Sequence, residues 1–331
     1  MTAVRDAEAD SASTAYHLAL TRLGVDTVQD AIALWQHVPV QRTPALTTVW
    51  LRSAVNLVMT RRGAGRDLAM AYYRLVRALR TGRTIADPYH PDPSVVTLGM
   101  LRRQFATLST PAATTPAGPI ASDDGDRIEV EQIEDLRGEQ ERRERDAHAE
   151  AQDVLDQLGP LNLDRKTGVL DHSAPAVQVD AQRREAHAQA GARQAAAAER
   201  IAMNGARSTV WANADRDRRA LGYIRVSTTG TPCGWCAMLI SRGAVYKSKR
   251  GAEYSDGDKY HDNCHCIAEP VWTAEQAGSD RYALNRTYAQ QWPQVTRGLS
   301  GKAAVSAWRR FIRQQQATAD RAEAASSAQE A

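Results

Sequence analysis

The chain is poor in several residue types. Its 331 residues include four cysteines, two phenylalanines (Phe105 and Phe311) and five lysines, against 37 arginines. Four cysteines are far too few for a disulfide-knit secreted scaffold. The 21 glycines exclude a collagen-like chain, which needs about one-third glycine. No uninterrupted apolar run approaches the roughly 18 residues of a spanning helix, so no transmembrane helix is expected. The formal net charge of +3 does not describe a strongly basic nucleic-acid coat. The first ten residues carry Arg5, Asp6, Glu8 and Asp10 and no apolar core, so no secretory leader is expected. Thiols that stay in a cytoplasm favour metal or redox roles over structural disulfides.

The length suits roughly two domains. Residues 14–83 carry apolar positions at spacings of three and four, which predict four short helices. Asp26 is the expected N-cap of the second, Pro44 opens the third, and Gly65 precedes the fourth. Val95 to Phe105 fits a strand or a helix equally well. The Pro/Ala/Thr-rich stretch 110–125 reads as a linker and as the domain boundary. Beyond it, 126–178 reads as an acidic strand-helix region, its helix largely solvated, with irregular chain from 160 to 178. Residues 180–221 are rich in alanine and arginine and predict a long helix interrupted near Gly205. Short β-prone runs follow at Tyr223–Val226, Ala244–Tyr246 and Ile267–Trp272, with a polar loop over Lys247–Lys259. Helices are expected again over 279–316, and a disordered tail over 317–331. The expected fold is mainly α, with a small α+β module rich in Cys and His. Its expected divisions are 1–109, 110–125, 126–178, 179–278, 279–316 and 317–331.

All four cysteines fall within 34 residues, as Cys233-Gly-Trp-Cys236 and His261-Asp-Asn-Cys264-His265-Cys266. A tetrahedral structural zinc takes four N/S ligands, and this set can supply four thiolates, or three with one imidazole. Cys-x-Cys is the less common ligand pair, which makes His261 a candidate in place of one thiol. Disulfides in one of three connectivities remain open, as do unbridged buried thiols. A thioredoxin-type Cys-Gly-Trp-Cys loop would leave His261, Cys264 and Cys266 without a role, and no βαβ pattern surrounds it.

The run Tyr223-Ile-Arg-Val226, Pro232-Cys-Gly-Trp-Cys-Ala-Met-Leu239, Ser241-Arg-Gly243, Tyr260-His-Asp-Asn-Cys-His-Cys266 and Pro270 resembles the phage Mu protein F-like family of minor head proteins. The likeness covers roughly residues 180–275. It implies a low-copy structural protein of the capsid interior, assembled in the host cytoplasm and associated with the portal. Head assembly, and DNA packaging or ejection, would be its work. Implied partners are the portal protein, a major capsid or scaffold protein, and packaged DNA. The motif positions are Cys233, Cys236, His261, Cys264 and Cys266, with metal binding or local cross-linking as their role and no catalysis. Two other readings stay open: a toxin-type or thiol-redox enzyme using the cluster, and a zinc-stabilised DNA-binding packaging factor.

Two arginine-rich stretches invite a nucleic-acid reading. Residues 52–83 hold eight arginines against one acid, Asp67. Residues 297–313 hold Arg297, Lys302, Arg309, Arg310 and Arg313 and no acid. Arg61, Arg62, Arg66, Arg309, Arg310 and Arg313 are the candidate phosphate contacts. The interleaved Trp292, Trp308 and Phe311 fit a helix core face better than a stacking platform.

Overall fold

The computed structural model describes residues 2–40, 44–110, 125–171, 173–227, 231–242, 260–262 and 264–330. In chain order the elements are α1 (Thr2–Trp35), α2 (Pro44–Thr81), β1 (Arg83–Ile85), α3 (Leu98–Ser109), β2 (Glu129–Glu131), α4 (Leu136–Leu158), α5 (Pro160–Thr167) and α6 (Ala176–Arg216). Then come β3 (Gly222–Val226), α7 (Gly234–Ile240), β4 (Ile267–Val271), α8 (Ala274–Gly278), a short 3-10 turn at Asp280–Tyr282, α9 (Ala283–Val295) and α10 (Gly301–Glu330). The mainly α fold with a small α+β module is as expected. The chain divides into two compact units, one of residues 1–209 with 261–263, the other of residues 210–260 with 264–331.

In the first unit, the four short helices expected over 14–83 are two long ones, and the chain stays helical through Asp26 and Gly65. The glycines mark close approaches instead of breaks. A Cβ on Gly24 would lie 2.9 Å from Glu199 Oε1 and 3.0 Å from Met203 Sδ, and one on Gly65 would lie 3.4 Å from the Ala206 Cβ. Gly205 likewise leaves α6 unbroken, because a Cβ there would meet Arg62, with Cγ at 2.7 Å. Small residues at these points let two helix backbones close together. The ambiguous run 95–105 is helix from Leu98, opened by the Thr97 hydroxyl accepting from the Met100 amide. The stretch expected to be irregular, 160–178, contains α5 and the start of α6.

Positions 111–124 of the expected linker lie outside the described residues. The elements on either side of it pack as one body. β1 pairs in parallel with β2, Arg83 opposite Glu129 and Ile85 opposite Glu131. The acidic α4 is solvated on most of its surface, as expected, and buries Leu136, Gln140, Ala147, Ala151 and Leu155. Leu155 and Ala151 join Trp35, Trp50, Val58, Ala190 and Ile201 in one core, where Trp35 and Trp50 meet edge-on at 5.0 Å.

The second unit begins in the last turns of α6. β3 and β4 form an antiparallel pair, Gly222 opposite Val271 and Val226 opposite Ile267. α7 packs with α9 and α10 around a core of Cys236, Met238, Leu239, Tyr260, Cys264, Cys266, Tyr288, Trp308 and Ile312. Trp308 is fully buried, edge-on to Tyr288 at 5.7 Å and to Trp292 at 5.2 Å. The aromatic positions are thus a core face, as their spacing suggests. The helices expected as a separate 279–316 segment complete the core of the cysteine module. α10 runs on to Glu330 through the expected disordered tail, where alanine-rich composition favours helix. Gly243, the expected strand Ala244–Tyr246 and the loop Lys247–Lys259 lie outside the described residues. Among the described residues no helix is long and apolar enough to cross a membrane.

Candidate metal centre

Three of the four cysteines converge. Cys233 is the N-cap of α7, and its Sγ accepts from the Cys236 amide at 3.4 Å. That bond fixes the first turn of α7 and places Cys236 one helical turn on, facing inward. The partners come from the chain entering β4. Extended chain alternates its side chains, so Cys264 and Cys266 turn in while His265 between them is exposed. Cys236 Sγ and Cys264 Sγ are 3.3 Å apart, well beyond the roughly 2.05 Å of a disulfide. The four cysteines are unbridged.

The sulfurs of Cys236, Cys264 and Cys266 all lie within 4.8 Å of one another, as do those of Cys233 and Cys236. A zinc with bonds of about 2.3 Å to sulfur sets tetrahedral neighbours about 3.8 Å apart. The Cys236–Cys264 spacing of 3.3 Å lies near that value, so Cys236, Cys264 and Cys266 could hold one ion. Both halves of the Cys-x-Cys pair face the cluster, and His261 keeps its place among the candidate donors. His261 falls in the short stretch 261–263 grouped with the first unit, where its Nδ1 lies 2.6 Å from the Asp262 carbonyl oxygen.

A second feature of the site is cationic. Arg225, on β3, is 1% exposed. Its Nη1 lies 3.8 Å from Cys236 Sγ, and its guanidinium sits 4.1 Å over the Tyr260 ring. A buried cation needs negative charge nearby. The groups that hold Arg225 protonated against its burial are Tyr260 first, then Cys236, Cys264 and Cys266. Metal-bound thiolates supply such charge; neutral thiols do not. The thiols hydrogen-bond among themselves, and bonds with Cys233, Cys264 and Cys266, then burial, push Cys236 well above the ordinary thiol range. Cys266 is pushed up to about 12: the bond with Cys236 pulls it down, while the bond with Cys264 and burial outweigh that and raise it. Without metal, both are protonated at neutral pH.

Sequence reading missed Arg225 and also Glu269. Glu269 is 1% exposed on β4 and takes both Arg281 Nε and Nη2 at 2.8 Å, with the Tyr282 hydroxyl at 2.9 Å. A charged residue inside each short β-prone run was the available signal. The arrangement is unlike a thioredoxin loop: the close partner of Cys236 is Cys264, and the flanking strands are antiparallel.

The two arginine sets separate clearly. Arg61 pairs with Asp30 at 2.6 Å, Arg62 with Glu144 at 3.0 Å and Arg66 with Asp67 at 2.9 Å, the last also lying over the Tyr89 ring. Arg74, Arg77 and Arg80 are tied to Asp92, Glu131 and the Asp6/Asp10 pair. The first stripe is therefore the internal counterpart of the acidic elements of its own unit. Arg309, Arg310 and Arg313 are exposed on α10.

No curated protein and no solved structure matches the chain. A family model does: residues 169–291, which hold β3, α7, β4 and all four cysteines, are similar to the VG15 protein family, a phage-type family.

Proposed function

We propose that this protein is a minor head protein of a tailed phage, carried inside the capsid, bound to the portal and needed for head assembly. The observation that carries the reading is the overlap between the phage-type match at 169–291 and the cysteine module. The motif resemblance to the Mu protein F-like family, over the same stretch, supports the portal-associated role. In this reading the module is a rigid docking element, and a structural zinc held by Cys233, Cys236, Cys264 and Cys266 keeps it rigid. The zinc supplies charge and cross-linking to a core with little β structure. Arg225 offsets the excess negative charge of four thiolates, and His261 is a reserve donor.

Quantitative mass spectrometry of purified virions of the encoding phage tests the role. The expected result is a few copies per particle, co-purifying with the portal ring after mild disassembly. Absence from virions, or abundance equal to the major capsid protein, contradicts it.

A further inference from the structure

The two arginine-rich stretches look alike in sequence and differ in structure. In the first stretch Arg61, Arg62, Arg66, Arg74, Arg77, Arg80 and Arg83 pair with carboxylates of the same unit. The second unit has the opposite balance over α9 and α10. From 283 to 319 the chain holds six cations (Arg286, Arg297, Lys302, Arg309, Arg310, Arg313) and no acid. Arg286 faces Asp280 at 3.6 Å. The other five are exposed, and none has an ion pair among the described residues. Arg309 lies 5.9 Å from the Trp235 ring, and Arg313 Nε donates to the Arg309 carbonyl.

Their placement is a stripe. Lys302, Arg309 and Arg313 are separated by seven and four residues, which puts them on one side of a helix with Arg310 beside them. The stripe is about 16 Å long at about 1.5 Å per residue. Trp308 and Ile312 point the other way, into the core. The position of the stripe is fixed by the cysteine module. A Cβ on Gly234 would lie 2.9 Å from Arg309 Cγ, so the start of α7 rests on α10 at this point. The Gln316 amide also donates to the Pro232 carbonyl at 2.9 Å.

We propose that this face of α10 binds the phosphate backbone of duplex DNA without reading its sequence. Arginine forks match phosphate oxygens. Duplex DNA offers one charge per about 1.7 Å of axis, enough to meet every cation of the stripe at once. The aromatic side chains are turned into the core, so no platform for stacking single-stranded bases accompanies the charges. The stripe lacks the apolar centre that a protein partner would need. The proposal rests on surface chemistry alone, so its failure leaves the minor head reading standing.

The test uses the full chain and a random 30-base-pair duplex, followed by fluorescence anisotropy. Four phosphate contacts predict a slope of log affinity on log salt of about −3.6, or a loss of about 150-fold between 50 and 200 mM salt. In the triple variant R309Q/R310Q/R313Q the slope should fall to about −0.9, a loss of about 3.5-fold over the same range. Circular dichroism checks that this variant keeps its helices. A control of equal charge change, R137Q/R142Q/R145Q on the exposed face of α4, should keep the parent slope. No DNA affinity at 50 mM salt overturns the proposal. So does an equal effect of both triples, or poly-glutamate binding tighter than DNA, which would assign the stripe to an acidic protein.

Discussion

Replacing Arg225 with methionine keeps most of the side-chain volume and removes one buried charge. Arg225 Nη1 lies 3.8 Å from Cys236 Sγ. Two unit charges near that distance interact by about 4 kcal/mol at an effective dielectric of about 20. Breaking a buried pair from one side costs about 3–5 kcal/mol, because the other charge stays buried. With metal bound, R225M should therefore destabilise the second unit by about 3 kcal/mol, lowering its melting temperature by about 10 °C. Without metal the thiols are protonated, and removing the arginine breaks no charge pair with them. The same substitution should then be neutral or stabilising. Calorimetry of the full chain, with zinc and with excess chelator, reads both signs. Competition with a chromophoric chelator reads the linked fall in zinc affinity, about 100-fold. A variant destabilised equally in both conditions, with unchanged zinc affinity, refutes the reasoning.

Cysteine removal should act locally: C236S is expected to abolish zinc binding and melt the second unit while α1 to α5 keep their cooperative transition in calorimetry, and loss of both transitions together would contradict it. Zinc uptake should release protons, since Cys236 and Cys266 are held above the ordinary thiol range. Buffer-dependent calorimetric enthalpies at pH 7 should give at least two protons per ion, and affinity should rise steeply with pH. A thiol whose folded value is raised stabilises the fold below its unfolded value of about 8.5 and loses that contribution above it. The metal-free module should accordingly weaken as pH climbs from about 8.5 toward 12, while a loss confined to acid pH would oppose this. G205A, which forces a Cβ against Arg62, should destabilise the first unit by about 1–3 kcal/mol in urea unfolding, whereas an unchanged midpoint would mean the helices separate freely. W308A removes a fully buried indole from the second core and should cost that unit about 3–5 kcal/mol by the same measurement, and a cost below about 1 kcal/mol would deny it a core role.

Much of the local structure was legible from periodicity. β3, β4 and the inward aromatic face of α9 and α10 follow from apolar and β-prone spacing. The breaks were misread for one physical reason. Gly65 and Gly205 weaken a helix locally but sit where another helix backbone presses against them, and tertiary packing outweighs their propensity. The internal pairing of the arginine stripe was not legible, because its mates are far apart in sequence. Arg62 and Glu144 are 82 residues apart, and Arg77 and Glu131 are 54. The cysteine cluster was visible from spacing, yet the buried cation beside it was not. Alternation into β4 brings Cys266 in beside Cys264, and Arg225 enters from a strand that sequence alone gives no reason to pair with Cys236.

Metal analysis with thiol counting on the purified full chain tests the metal centre most directly. The expected result is one zinc per chain, with the thiols masked until a chelator strips the ion and four then react. A metal-free chain with four reactive thiols, or one in which reduction alone exposes them, would contradict it.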